Sequence, residues 1–275
     1  MKNVIYIIAF LASSWVYSQN YQIEYTFEYK KDSLKEYTQK DAYVLQIEED
    51  KTKFIPKRLI ERDEILDQNT KMYISSPLRQ VVERKRGSNE YINYEVFNSN
   101  YYTLPDKVEL NWEINPDTKE ENDYHLQKAT VTFGNRNWEA WFIPDIPLNE
   151  GPYKFHGLPG LIYEIHDTKG NFSYQLTSLK KVEKPYNTSN IIETHFGTKP
   201  IPINEKQYQK LVLDDYNNPY AQYRAMKEGS WMIGLPGDRT IKTNKELDAY
   251  VKEYQAQIRR ENNPVELDKA IVFPE

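Results

Sequence analysis

The stretch that most limits what this chain can become is residues 129–179, where two pairs of apolar runs flank a segment that no sheet interior accepts. Ala129–Phe133 and Trp138–Ile143 enclose Gly134 and Asn135, residue types that tolerate the left-handed backbone of a tight hairpin. Leu161–Asp167 and Phe172–Leu179 enclose Thr168-Lys169-Gly170-Asn171 and read as a second hairpin. Between them, residues 144–152 carry Pro144, Pro147 and Pro152. Proline offers no ladder donor, so this segment is a crossing loop. It runs into Gly157-Leu158-Pro159-Gly160-Leu161-Ile162. Proline at the second position and glycine at the third predict a type II turn over Leu158–Leu161, with Gly160 at positive φ, that aims a strand beginning at Leu161.

The rest of the chain fits around that unit. Tyr21, Ile23, Tyr25, Phe27 and Tyr29 alternate with polar residues, the mark of a strand buried on one face. A second strand is expected at Ala42–Glu48, a short amphipathic helix over Lys57–Gln68, and further strands at Gln80–Glu83, Tyr91–Phe97 and Val108–Ile114. Turns are expected at Gly87-Ser88-Asn89, Asn98-Ser99-Asn100 and Pro105-Asp106, giving a meander. Beyond Pro185 the pattern turns helical, at Asn204–Asp214, Pro219–Glu228 and Asn244–Glu261. The last opens with a capping box, Thr243 to Glu246, and carries Leu247, Tyr250, Val251, Tyr254 and Ile258 at helical spacing. Gly234-Leu235-Pro236-Gly237 repeats the earlier tetrapeptide with unrelated flanks, a second use of one turn. The class is therefore α+β: an antiparallel, curved sheet or half-barrel, with helices concentrated in the C-terminal third.

Residues 1–18 join one lysine, an apolar run Val4–Ala12 and a polar tail with Val16 and Ser18 ahead of Gln19, the pattern of a secretory signal peptide. Residues 19–275 then form a single domain. The expected location is exported, periplasmic or outer-membrane associated or secreted, and not membrane-spanning after cleavage, since the apolar run is too short to cross a bilayer. There is no cysteine, hence no disulfide, thiolate metal site or lipid anchor at the signal. A formal net charge of −5 disfavours nucleic acid as a partner. The 23 tyrosines, against 10 phenylalanines, mean either half-buried sheet faces or aromatic stacking on a ligand.

Candidate functional residues are few. Strand alternation places Ile162, Glu164 and His166 on one face and Leu161, Tyr163, Ile165 and Asp167 on the other. Glu164 and His166 are then roughly 6.5–7 Å apart along the strand. They read either as a solvated pair or, with His156 or Asp145, as part of a metal site or proton relay. No nucleophile elbow, phosphate loop or zinc-binding helix occurs, and the Gly157–Gly160 corner is structural because a strand, not a helix, follows it. Trp138, Trp141, Phe142, Tyr153 and Phe155 bracket the crossing loop; Trp138 and Phe142 share a face, and Trp141 points the other way. One face is core and the other is an aromatic shelf on which a sugar or peptide could stack.

These residues also form a series: Gln127-Lys128-Ala129, Arg136, Trp138-Glu139-Ala140-Trp141-Phe142, Ile146-Pro147, Gly151-Pro152-Tyr153-Lys154-Phe155 and the corner hexapeptide. The series resembles the GLPGLI family of exported bacterial envelope proteins, densely over residues 124–167. Members of that family commonly carry a cysteine just before the Gln-Lys-Ala segment, where this chain has Leu126. The resemblance implies an envelope location and a possible outer-membrane transport partner, and no reaction or cofactor. Two readings follow. One is a non-enzymatic binding or accessory module holding a peptide, glycan or outer-membrane partner through Trp138, Trp141, Tyr153, Glu164 and His166. The other is a hydrolase, metal-assisted or not, built on His156, Glu164 and His166.

Overall fold

The computed structural model describes residues 20–65, 80–194, 197–235, 237 and 239–275. The predicted signal segment, His195 and the turn residues Pro236 and Asp238 lie outside the described residues.

Twelve strands form one sheet, most of them with apolar residues alternating towards the core: β1 Asn20–Tyr29, β2 Gln39–Ile47, β3 Lys51–Pro56, β4 Val82–Lys85, β5 Glu90–Phe97, β6 Asn100–Lys107, β7 Glu113–Glu121, β8 Tyr124–Phe133, β9 Arg136–Ile143, β10 Leu161–Asp167, β11 Phe172–Val182 and β12 Ile201–Pro202. Their order is β12-β6-β5-β4-β3-β2-β1-β11-β10-β9-β8-β7. Every pairing is antiparallel except the two-residue β12, which lies parallel to β6. The first six strands thus form one meander and β7–β11 a second, and β11 returns to pair with β1.

That order sets the curvature. β6 lies near one edge and β7 is the other edge, yet only residues 108–112 join them. Extended chain of that length reaches roughly 20 Å. The sheet must therefore curl until its two edges approach one another, an open barrel with a seam bridged by residues 108–112. The crossing loop, residues 144–160, fills the interior. Phe155, 1% exposed, packs against Trp138 with ring centroids 4.8 Å apart, Phe133 at 5.2 Å and Tyr174 at 6.3 Å. Ile23, Tyr25, Phe27, Leu45, Phe54, Ile165 and Phe172 complete this core.

Helices lie outside the barrel. Helix α1, Lys57–Ile65, follows β3. Helix α2, Glu205–Asn217, opens with a reciprocal Asn204–Gln207 capping box. After the short α3, Ala221–Arg224, and a two-stranded ladder of β13 Ile233–Gly234 and β14 Thr240–Ile241, helix α4, Asn244–Arg260, opens with the Thr243–Glu246 box the sequence predicts. Leu247 and Val251 of its stripe pack with Trp231, Ile233 and Ile241 in a small separate core.

Several expectations shift. Of the strand expected at Val108–Ile114, residues 108–112 are the seam crossing instead and only Glu113 and Ile114 are strand, at the start of β7, and the turn expected at Pro105-Asp106 lies within β6, where Pro105 stands opposite Ile92. The helix expected over Pro219–Glu228 is a single turn. The corner is a turn of another kind: Gly157 has φ +98°, whereas Gly160 does not lie at positive φ. Gly160 is required by proximity, because a Cβ there would stand 2.2 Å from the Ile143 carbonyl oxygen. Finally, the β9–β10 register shifts between Ile162 and Glu164, so Tyr163 occupies a bulge. Ile162 pairs with Phe142 on the core side while Glu164 pairs with Trp141 on the outer side, and the predicted grouping of Ile162 with Glu164 and His166 is corrected accordingly.

Candidate functional site

The predicted residues separate into a core pair and an outer face. Trp138 is fully buried and its indole nitrogen donates to the Phe133 carbonyl at 3.0 Å. Tyr153, 6% exposed, lies in the core with its hydroxyl donating to Glu266. Both point inward because the crossing loop and β9 share the barrel interior, so neither presents a surface to a ligand.

Trp141, Glu164 and His166 come together on the outer face of β9 and β10, where Glu164 pairs with Trp141 and His166 with Glu139. Lys119 Nζ sits 4.7 Å from the Trp141 ring centroid and donates to Glu164 Oε1 at 2.6 Å. Lys128 Nζ, 5.9 Å from the same ring, pairs with Glu139 at 2.7 Å. His166, with 42% of its side chain exposed, lies 3.9 Å from Glu139. Burial works against the Lys119 charge, but hydrogen bonds to Glu121 and Glu164 outweigh it and hold the ammonium above its ordinary value. The bulged Tyr163 ties this face to the β7–β8 turn: its hydroxyl accepts from Asn122 Nδ2 at 2.7 Å, and its ring lies 5.8 Å from that of Tyr124. The shelf is therefore a half-buried indole set among paired charges.

His156 is elsewhere. Its ring is 9% exposed and engages Tyr91 of β5 and Asn89, on the interior side, while Glu164 and His166 face outward. The three residues of the hydrolase reading are not brought together. Among the described residues no group of three or more histidines and carboxylates is placed to hold a metal.

His156 instead belongs to a cleft of about 390 Å³ at the barrel seam, lined by the β4–β5 turn, the 108–112 crossing and the crossing loop. His156 Nε2 lies 3.1 Å from Asn89 Oδ1, and Nδ1 lies 2.9 Å from the Tyr91 hydroxyl, which donates its proton to the Lys154 carbonyl at 2.9 Å. Burial, and then the nearby Arg84 charge, push His156 down to about 4, so the ring is neutral at pH 7. Arg84 is paired with Glu150, each side chain 4% exposed, and donates to the Ser88 carbonyl at 3.0 Å. Trp112 of the crossing donates its indole N–H to the His156 carbonyl at 2.8 Å.

Behind the cleft, Lys154, 1% exposed, donates to Asp106 and Glu266, each at 2.6 Å, and Lys269 reaches the same two carboxylates at 2.6 Å. This cluster ties β6, the crossing loop and the C-terminal segment together. Burial alone would raise Asp106, but Lys154 and Lys269 hold it at about 2. Glu266 is lowered in the same way, against its burial, by the same two ammonium groups. Sequence reasoning missed Arg84, Asn89, Asp106, Trp112 and Glu266, since nothing in their local pattern marks them. Lys154 alone had a signal, a charge inside the aromatic run Tyr153-Lys154-Phe155.

Fold and sites together define an open, curled antiparallel barrel plugged by its own crossing loop. A family model described as a protein of unknown function (Porph_ging) matches residues 85–164, which supply β5–β9, the seam crossing, the plug and most of β10. Two solved structures described as PNGF-II, in C2 and P21 space groups, match with TM-scores of 0.52 and 0.51 at 17% and 18% identity. Each match covers 70% of this chain and 32% or 33% of the other, so this chain spans about a third of those structures. At that identity the likeness is one of fold. None of the curated proteins matches the chain.

Proposed function

We propose that this chain is an exported, non-enzymatic binding or accessory protein of the GLPGLI type, working in the periplasm or at the outer membrane, with the outer face around Trp141 as its contact surface for a peptide, glycan or outer-membrane partner. The observation that carries this reading is the Trp141 indole on the solvent side of β9, with Lys119 over its ring and Lys128, Glu139, Glu164 and His166 around it. The interior has its own aromatic plug, so packing inside the barrel does not require an indole on this side. Tryptophan is among the residues that carry most binding energy at protein surfaces, and charges around it steer and select a partner. Among the described residues no helix is long and apolar enough to cross a membrane, which fits a chain that acts from one side of it.

The test is a photo-crosslinking residue placed at His166 in cells, with the exposed turn position Lys169 as control. The reading expects an adduct from position 166 that disappears when Trp141→Ala is added, in protein whose circular dichroism is unchanged. Equal labelling from both positions would remove the outer face from consideration. Intact-mass measurement of the fractionated protein, expected to start at Gln19, tests the export claim separately.

A further inference from the structure

We propose that the seam cleft is a binding site for a neutral saccharide residue. This goes beyond the outer-face reading and shares no residue with it.

The argument is one of charge and hydrogen-bonding capacity. Both charged groups at the cleft are answered within the protein: Arg84 pairs with buried Glu150, and Glu109 with Lys107 at 2.6 Å. An anionic ligand would find no unpaired cation, and a metal ion would find one carboxylate among amides. What remains is uncharged polarity. The side-chain amides of Asn111 and Asn149 line the cleft and make no hydrogen bond to any described residue, and the Asn89 amide, 3.1 Å from His156 Nε2, lines it beside them. Each amide offers donors and an acceptor side by side, the complement of adjacent hydroxyls that both give and take a hydrogen bond.

The walls suit the same ligand. Leu110 lines the cleft, and the Trp112 indole stands beside its rim, 3.9 Å from where a Cβ on Gly157 would be. Leu110 gives an apolar surface for the C–H face of a sugar ring, next to amides for its hydroxyls. Gly157, exposed and without a side chain, leaves the rim open, and its φ of +98° is set by the corner. The cleft volume of about 390 Å³ is in the range of small-molecule sites. Its amides are carried on three segments that are separate in sequence, the β4–β5 turn, the 108–112 crossing and the 144–160 loop, and Trp112 joins the last two through the His156 carbonyl.

The experiment is saturation-transfer difference NMR on the whole mature protein with a panel of neutral methyl hexosides and N-acetylhexosaminides, with glucuronate and inorganic phosphate as anionic probes. We expect transfer to at least one neutral glycoside, stronger than to either anion, in both wild type and Trp141→Ala. The variant Asn111→Ala/Asn149→Ala, at two exposed positions, should weaken binding about tenfold or more, the loss of two hydrogen bonds, with melting unchanged. Binding of no neutral glycoside, a preference for the anions, or wild-type binding by the double variant would each overturn the proposal. Loss of binding in Trp141→Ala with the double variant unaffected would move the sugar to the outer face and likewise overturn it.

Discussion

Gly160 and Gly157 stand three residues apart in the same corner and are glycine for different reasons. At Gly160 a methyl group would be 2.2 Å from a main-chain carbonyl oxygen and 2.9 Å from Phe142, neighbours that are fixed in the core. At Gly157 there is room, and the demand is the backbone angle, φ +98°. Overpacking against rigid backbone costs more than conformational strain in an open turn. Gly160→Ala is expected to destabilise by about 3 kcal/mol and Gly157→Ala by roughly 1–2 kcal/mol, read from urea midpoints at constant m. Reversal of that order would mean that the corner moves freely away from Ile143. The same residues mark what a sequence shows: that glycine is needed is visible in the motif, but a carbonyl brought in by the neighbouring strand is not.

Elements were legible where local pattern and local cause coincide. The alternation of Tyr21–Tyr29, the Gly134-Asn135 turn and the Thr243–Glu246 capping box each contain their own physics within a few residues, and all three stand as read. Thr243→Ala is expected to cost about 1 kcal/mol, because Thr243 accepts from the Glu246 backbone N–H at 3.2 Å and would leave that donor to water; a thermal melt that follows α4 checks it. What failed to show was set by distant chain. Period-two reading carried Ile162 to the outer face because the bulge at Tyr163 depends on the β9 register. It also makes a strand of Val108–Ile114, whose Val108, Leu110 and Trp112 in fact bridge two sheet edges while Ile114 opens β7. For the site, alternation places Glu164 beside His166 and turns Trp141 away from Trp138 and Phe142, while the β9–β10 register that brings Trp141 to that pair is not local; the seam cleft gathers residues from three separated segments and has no linear signature. The plug loop is the sharpest case, since its aromatic run is plain in sequence but its place inside the barrel is not. Phe155→Ala, which removes the ring that Trp138, Phe133 and Tyr174 all touch, is expected to cost about 3–5 kcal/mol in denaturant unfolding. A cost under about 1 kcal/mol would show that the barrel holds without its plug.

At the scale of the whole molecule, an open barrel must hold its seam with something other than ladder hydrogen bonds. Here the work falls to buried titratable groups drawn from β5, β6, the crossing loop and the C-terminal segment, so the fold is coupled to pH. The signs agree. His156 falls from an ordinary 6.5 to about 4. The unfolded chain therefore binds a proton that the folded one refuses, and the stability linked to neutral His156 is complete above pH 6.5 and lost as pH falls towards 4. That loss is about 3 kcal/mol. Asp106, held at about 2 against an ordinary 3.8, and Glu266, also lowered, contribute stability that is present above their unfolded values and lost as pH falls through their folded ones. Stability should be flat near pH 7 and fall in two stages, one between 6.5 and 4 and the other below about 4.5. His156→Gln should abolish the first stage and leave the second. Lys154→Met removes an ammonium shared by Asp106 and Glu266, so it should lower stability by about 3–5 kcal/mol at neutral pH and start the second stage at higher pH. Urea unfolding at a series of pH values separates the two, and a His156→Gln profile that still slopes between 6.5 and 4 would show that the first stage belongs to another group.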